Sequence, residues 1–248
     1  MQEKDTIYGI RAVIEAVESG KDIDKVLIKP GLQGELFNEL MATLKTHKIN
    51  WQKVPQEKLF KLAGKNHQGV VALVSPLSYT DLEPVVEAAL AEGRTPLILI
   101  LDGITDVRNL GAIARSAECA GVDALVLPEK GSAPINADAI KTSAGALFNL
   151  PVCRVPKIWY SLKYLKEKGF TIYGASEKSE TAYYKGDYLG PVALVMGAED
   201  KGISSQVHKM VDTFVALPVK GEIASLNVSV AAGVLVYEIL RQRESKIS

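Results

Sequence analysis

Apolar and polar positions follow two different patterns along this chain of 248 residues. Before Pro76 the periodic segments are short, and they alternate between helical and strand spacing. The predicted helices are 8–18 and 35–47, and the predicted strands are 25–28 and 69–74. This pattern indicates a small α/β domain over 1–75.

From Pro96 onward the apolar runs are longer, and helical patterns separate them. The predicted strands are 97–101, 124–127, 151–155, 171–175, 192–196 and 214–217. The predicted helices are 109–120, 136–146, 158–167, 203–209 and a last long helix that opens at 224. Strands that are apolar throughout and alternate with helices favour an α/β fold with a mostly parallel sheet, covered on both faces. We assign this domain to 96–248, and the acid-rich stretch 76–95 to a linker with a helix over 82–91.

Charge adds a local feature to this picture. The 29 basic and 29 acidic residues balance, which argues against an indiscriminate polycation. The stretch 45–68, however, carries six lysines, among them Lys53, Lys58 and Lys61, and one acid, Glu57. Such a run suits a polyanion such as RNA, because each neutralised phosphate releases counterions. A solvated lysine-rich face is an equally good interpretation of this run alone.

The apolar segments, cysteines and histidines predict the cellular environment of the protein and whether it binds a metal ion. We find neither a signal-peptide pattern nor an apolar stretch long enough to span a bilayer, so we expect no membrane partner. Cys119 and Cys153 are expected to be buried free thiols, which favours a cytoplasmic location. Two isolated cysteines and three scattered histidines make a metal site improbable.

Three unusual loops follow predicted strands, and ligands of parallel sheets bind at this edge. The loop 102–109 leads into a helix for which Asn109 is a candidate N-cap. Arg115, six residues later, lies among alanines, and it extends to water, pairs with an acid or points into a site, with pairing the favoured interpretation. The loop 197–204 has the glycine spacing of a phosphate-binding loop, but Ile203 stands where that loop needs lysine. It is either a tight turn or a close backbone contact with a planar ligand.

The third loop reaches the last helix through a polar cluster. Ser225, Asn227 and Ser229 alternate through a segment that is otherwise apolar on every side up to Val236. An N-cap accounts for one of these three polar groups, so the other two are candidates for chemistry. A helix that is apolar all round is expected to be buried in a core or in a subunit interface.

These loops resemble the three motifs of the SpoU-type branch of the SPOUT RNA methyltransferases. The motifs correspond to 109–115, 196–203 and 217–231. The resemblance implies a C-terminal trefoil knot, S-adenosyl-L-methionine as cofactor and a homodimer through the last helix. It also assigns residues to each role. Those implied to be catalytic are Asn109, Arg115, Glu199, Ser225 and Asn227, and those implied to contact the cofactor are Gly197, Leu217 and Leu226.

The first 75 residues resemble the RNA-binding domain, similar to ribosomal proteins L30e and L7Ae, that some members of this family carry. The similarity includes residues 8–10 and 67–72. It implies a substrate like that of the bacterial enzymes that methylate a guanosine ribose 2′-hydroxyl in large-subunit (23S) rRNA. A tRNA substrate, an rRNA adenosine, and an RNA-binding module without catalysis stay open as alternatives.

Overall fold

The protein is described by a computed structural model that covers residues 6–64 and 66–245. Lys65, a member of the basic run, and the outermost residues of both predicted domains lie outside the described residues. The chain divides into two compact units, one before and one after the bond between Ser78 and Tyr79. Each unit has its own sheet.

The first unit is a four-stranded sheet with helices. Its elements are β1 (Thr6–Tyr8), α1 (Ile10–Glu18), β2 (Ile23–Ile28), α2 (Glu35–Thr46), β3 (Trp51–Lys53), α3 (Gln56–Ala63) and β4 (Val70–Val74). The strand order is β1-β4-β2-β3, with β3 parallel to β2 and the other pairs antiparallel. One face packs on α1 and α2 through an apolar cluster that includes Val13, Val26 and Leu40.

The four elements predicted in this region are all present. The sequence did not predict β1, β3 and α3, which are short. The three side chains of β3 are all exposed, so this strand has no buried alternation for a periodicity to detect. It is paired on one side only, at an edge of the sheet.

The second unit is built on a six-stranded sheet in which every pair is parallel. Its strands are β5 (Leu97–Asp102), β6 (Ala124–Pro128), β7 (Val152–Val155), β8 (Thr171–Ala175), β9 (Val192–Gly197) and β10 (Thr213–Val215). Its helices are α4 (Leu82–Ala91), α5 (Val107–Cys119), α6 (Ala137–Thr142), α7 (Ile158–Glu167), α8 (Ser205–His208) and α9 (Val228–Ser245), with short 3₁₀ turns at Ala146–Phe148 and Tyr183–Lys185. The order β10-β8-β9-β5-β6-β7 places the buried strands β5 and β9 side by side in the middle. The α/β class and the mostly parallel sheet are as predicted.

The segment predicted as a linker contributes to this second unit. Helix α4 has the predicted bounds, and its Leu82 and Val86 are buried in one cluster with Ile98 and Ile100 of β5. Its apolar residues therefore belong to the core rather than to a spacer. Pro84 and the acidic residues Glu83 and Glu87, which suggested a linker, mark only the exposed side of a packed helix.

The last helix begins at Val228, four residues later than predicted. Its apolar residues lie on two opposite faces. Five of them are buried: Val228, Ala232, Leu235, Val236 and Ile239. Val230, Val234 and Tyr237 are exposed, and their spacing places them on one stripe of the helix. The helix also packs on α5, where Gly233 approaches Ser116.

Of the two cysteines, Cys153 is buried and Cys119 is exposed, so the prediction of a buried thiol is wrong for Cys119. Cys119 is the last residue of α5, on its solvent side, and the spacing of small residues around it did not reveal this. Burial raises the pKa of the Cys153 thiol to about 12, with a smaller contribution from Asp81. Among the described residues no helix is long and apolar enough to cross a membrane, and no cluster of side chains suits a metal ion.

Candidate active site

Helix α5 begins at the carboxyl end of β5, and its cap determines what Asn109 can do. The N-cap is Asp106, whose Oδ1 accepts hydrogen bonds from the backbone N–H groups of Arg108 (2.7 Å) and Asn109 (2.9 Å). The prediction of Asn109 as the N-cap is therefore wrong. Asp106 occupies the position from which a short side chain reaches the first-turn N–H groups. The Asn109 side chain is consequently free for other partners.

Those partners are Glu199 and Asn227, which come from the two other loops. The Asn109 Nδ2 group donates to Glu199 Oε1 at 3.2 Å. Asn227 Nδ2 donates to Glu199 Oε1 and to Asn109 Oδ1, both at 3.0 Å. Three predicted site residues, separated by up to 118 positions in sequence, thus form one hydrogen-bonded group. We call Asn109, Glu199 and Asn227 the polar triad.

Asn227 also caps the last helix. Its Oδ1 accepts from the backbone N–H of Ser229 at 2.9 Å and from the Ser229 hydroxyl at 2.5 Å. Glu199 Oε1 additionally accepts from the backbone N–H of Val228 at 3.4 Å. The side chains of Asn227 and Glu199 therefore belong both to the polar triad and to the N-terminal cap of α9. The triad and the start of the helix form together. The serine at 229 is engaged by this cap.

The loop after β9 brings Glu199 into position by folding tightly on itself. Ala198 and Gly202 exchange two backbone hydrogen bonds, of 3.1 and 2.8 Å. A Cβ atom at Gly197 would lie 2.3 Å from the carbonyl carbon of Gly202, so any side chain there would open the turn. The turn continues to Ser204, whose backbone N–H donates to Asp102 at 2.7 Å. The glycine at 197 is needed by the protein itself, before any ligand is considered.

A cleft lies beside the polar triad, between the loops after β8, β9 and β10. Its lining includes the three residues that the sequence analysis assigned to a cofactor, Gly197, Leu217 and Leu226. Ser225 and Glu199 line it as well, which places the cleft next to the triad. A neighbouring recess, lined by Gly103, Asn109 and Glu199 among others, adjoins it. Backbone, apolar surface and a few polar groups are the lining typical of a small-molecule site.

Arg115 is on α5, six residues beyond Asn109, and its side chain is exposed. It forms no hydrogen bond or ion pair with any residue in the described part of the chain, so structural pairing with an acid does not occur there. It is not among the residues that line the cleft. An exposed, unpaired guanidinium is available to a ligand that approaches from solvent, and phosphate is the group whose geometry it matches best.

The three lysines predicted to bind RNA are in the first unit. Lys53 ends β3, and Lys58 and Lys61 are on α3, all three exposed. Trp51, on the same face of β3 as Lys53, is also exposed. The sequence analysis did not single out this tryptophan. Trp51 is two residues from Lys53, which in a strand places both side chains on one face. This spacing could have predicted a role for Trp51 in RNA binding, because bases stack on aromatic rings.

The sequence of the chain matches two protein families. Residues 96–237 match the SpoU rRNA Methylase family. Residues 6–80 match the family described as RNA 2′-O ribose methyltransferase substrate binding. Together these two matches include the polar triad, the cleft and the lysines.

Individual relatives agree with this. A relative from Staphylococcus saprophyticus, assigned to the TrmH family of tRNA/rRNA methyltransferases, is 36% identical over 241 residues, or 97% of each chain. The SpoU methyltransferase AviRb from Streptomyces viridochromogenes, solved with the cofactor AdoMet, is 26% identical at a TM-score of 0.62, covering 97% of this chain and 90% of AviRb. The A. aeolicus TrmH/SpoU tRNA modifying enzyme is 30% identical at a TM-score of 0.57, covering 65% of this chain and 86% of its own. The chain therefore belongs to the SpoU family of RNA methyltransferases.

Proposed function

We propose that this protein transfers a methyl group from S-adenosyl-L-methionine to the ribose 2′-hydroxyl of a guanosine in large-subunit (23S) rRNA. The observation that carries the proposal is the position of the polar triad at the mouth of the cleft that Gly197, Leu217 and Leu226 line. The residues implied to be catalytic are thereby next to those implied to contact the cofactor, and transfer of a methyl group from cofactor to RNA requires this proximity.

The cleft suits S-adenosyl-L-methionine by its chemistry. Leu217 and Leu226 offer apolar surface to an adenine ring, and the tight turn at Gly197 exposes backbone rather than side chains. When bound, this cofactor supplies an electrophilic methyl group on a positively charged sulfur. Glu177 and Glu199 are the carboxylates in the lining, and they favour a ligand with positive charge.

Arg115 is proposed to act on the RNA side of the reaction. A ribose hydroxyl is a poor nucleophile at neutral pH, so its proton must pass to solvent, and negative charge develops on its oxygen before that oxygen takes up the methyl group. Guanidinium stays protonated in proteins, and we therefore assign Arg115 to binding the target phosphate and stabilising this charge. Asn109, Asn227 and Ser225 would orient the ribose, and Glu199 would hold both asparagines in place.

The division of labour follows the two units. We propose that 1–75 binds RNA through Lys53, Lys58 and Lys61, and that 96–248 carries the reaction. Helix α4, within 76–95, packs on the core of the second unit. The family match at 6–80 supports the first assignment, because that family is described by substrate binding. Exposed Lys53, two residues from the exposed ring of Trp51 on the same face of β3, combines charge with a stacking surface, as single-stranded RNA requires.

We further propose that the C-terminal segment forms a trefoil knot and that the protein is a homodimer through α9. The hydrogen bonds of Asn227 to the two preceding loops support a threaded arrangement of the cleft. The stripe of Val230, Val234 and Tyr237 supports the dimer, since each of these apolar side chains is more than a third exposed. Sedimentation of the purified protein would test the dimer directly.

The test of the activity is methyl transfer from labelled S-adenosyl-L-methionine to unmodified rRNA and to tRNA, followed by nucleoside analysis. We expect 2′-O-methylguanosine in the rRNA. The same label in tRNA, or as 2′-O-methyladenosine in rRNA, would replace the proposed substrate but keep the chemistry. Cofactor binding without transfer to either RNA would instead favour an RNA-binding module.

A further inference from the structure

A second cavity of about 390 Å³ lies at the same edge of the second unit's sheet. It is formed by the chain that follows β5, β6 and β7, and none of the residues assigned to the methyl-transfer site lines it. Trp159, in the first turn of α7, is part of its wall. The function proposed above leaves this cavity without a role.

The wall at Trp159 is a double aromatic layer. The rings of Trp159 and Tyr160 stack with their centroids 3.7 Å apart and their planes at 26°. Tyr160 is 59% exposed, so this stack is on the surface and is not part of the core. Large aromatic rings at the surface favour contact with another flat, apolar face. A nucleobase is such a face, and its stacking on an aromatic ring is tolerant of sequence.

The charged residues of the cavity fit a nucleotide better than a bare phosphate. Lys130 and Lys157 line it and are exposed, which suits the phosphates on either side of a base. Asp102 and Glu129 line it too, and carboxylates would repel a bare anion. They are instead good acceptors for the N–H groups along the edge of a base. Gln206 adds a side-chain amide.

The cavity also borders the recess beside the proposed site. Gly103 lines both this cavity and the recess that contains Asn109 and Glu199. Asp102, the residue before it, joins the cavity to the turn after β9 through its bond to the Ser204 N–H. An RNA strand whose target ribose is at the polar triad would therefore continue over Gly103 into the cavity.

We infer that this cavity binds the base of a nucleotide next to the methylated one, stacked on Trp159 and with its phosphates at Lys130 and Lys157. Trp159 is then a positioning residue, which selects single-stranded RNA by holding a second base out of its helix. The inference rests on the proposed function, because it takes the polar triad as the place of the target ribose.

Tryptophan fluorescence can report on this cavity. The chain contains two tryptophans, Trp51 and Trp159, so one substitution leaves Trp159 as the single tryptophan. In a Trp51→Phe variant all tryptophan fluorescence comes from Trp159. We expect a single-stranded RNA hexanucleotide to quench this fluorescence saturably, whereas an abasic hexanucleotide of equal charge leaves it unchanged. Lys157→Ala in the same background is expected to weaken the quenching titration, and Lys163→Ala, an exposed lysine on α7 outside the cavity, is the matched control.

Kinetics on rRNA give a second reading. Trp159→Leu keeps an apolar side chain, though a smaller one, and removes stacking, and we expect it to raise the KM for RNA about tenfold with kcat and cofactor affinity nearly unchanged. An unchanged KM, or unchanged fluorescence of Trp159 while RNA is bound and methylated, would overturn the inference and leave the proposed function intact. Quenching by RNA without any methyl transfer by the unaltered protein would overturn the proposed function and support this binding site.

Discussion

Arg115 and Arg243 are both on helices of the second unit, but their surroundings are opposite. Arg115 is exposed and has no polar partner in the described part of the chain. Arg243, near the end of α9, donates to four backbone carbonyls, those of Thr95, Pro96, Tyr188 and Gly190, at 2.8 to 3.4 Å. Burial lowers the pKa of its guanidinium. One arginine ties chain segments together, and the other is kept free.

With Arg115 in its proposed role, this contrast means that the unit separates the groups that stabilise it from the groups that carry its chemistry. Carbonyl groups of the backbone cannot be lost by mutation, so Arg243 holds permanent partners. The polar triad is different, because its members satisfy one another through side chains and are partly open to solvent. Groups held in this way can exchange partners when a ligand arrives. Four predictions test this separation.

Replacing Arg115 should affect chemistry alone. We expect Arg115→Ala to lower methyl transfer about 10²- to 10³-fold, the usual cost of removing one preorganised charge-stabilising group. Unfolding by urea and binding of S-adenosyl-L-methionine should be nearly unchanged, since the side chain makes no hydrogen bond or ion pair in the described structure. The matched control is Arg108→Ala, an exposed arginine two turns earlier on the same helix. Equal loss of cofactor binding in Arg115→Ala would show that Arg115 is structural.

Replacing Arg243 should affect stability alone. Arg243→Ala removes charge-assisted bonds to the four carbonyls, and we expect the free energy of unfolding to fall by about 2 kcal/mol. Transfer per folded molecule should be unaltered. Glu244→Ala, its exposed neighbour, should stay within about 0.5 kcal/mol of the parent protein. A folded Arg243→Ala protein that had lost methyl transfer would contradict this separation of stability from chemistry.

The lysines of the first unit should act on binding through salt. A plot of log affinity for RNA against log salt concentration has a negative slope. We expect Lys53→Ala, Lys58→Ala and Lys61→Ala together to make this slope shallower by about 2, or roughly 0.7 for each lost phosphate contact. Lys21→Ala, an exposed lysine in the turn between α1 and β2, is the control. The measurement is RNA binding at several salt concentrations. The same slope in parent and triple variant would place the RNA elsewhere.

The smallest effect concerns Glu238 of α9, whose carboxylate accepts two hydrogen bonds from Arg241, both at 2.8 Å. The pair with Arg241 lowers the pKa of Glu238 below its ordinary value of 4.5. Because the carboxyl pKa is lower in the folded state, the ion pair stabilises that state fully at pH values above the unfolded-state pKa. This stabilisation is lost as the pH falls through the lower pKa of the folded state. We expect it to be below about 1 kcal/mol, because Arg241 is largely exposed. Thermal unfolding of Glu238→Gln across acidic pH should show a smaller pH dependence than the parent.

Much of the second unit could be predicted from the sequence. The bounds of α4, α7 and β8 agree with the predictions to the residue, because each is delimited by a clear change of hydrophobic period. The choice of Asn109 as a cap failed, since Asp106 and Asn109 are both good cap residues and spacing does not say where the helix begins. The sequence also could not show that Asn109, Glu199 and Asn227 touch one another, because such contacts depend on the path of three separate loops.

The double role of Asn227 has a consequence for the life of the molecule. Its side chain starts α9 and also completes the polar triad, so the triad cannot assemble before the last helix has folded. A chain still emerging from the ribosome would hold Asn109 and Glu199 but lack their common partner. On the role proposed for the triad, such a nascent chain would be catalytically silent until its synthesis had passed α9.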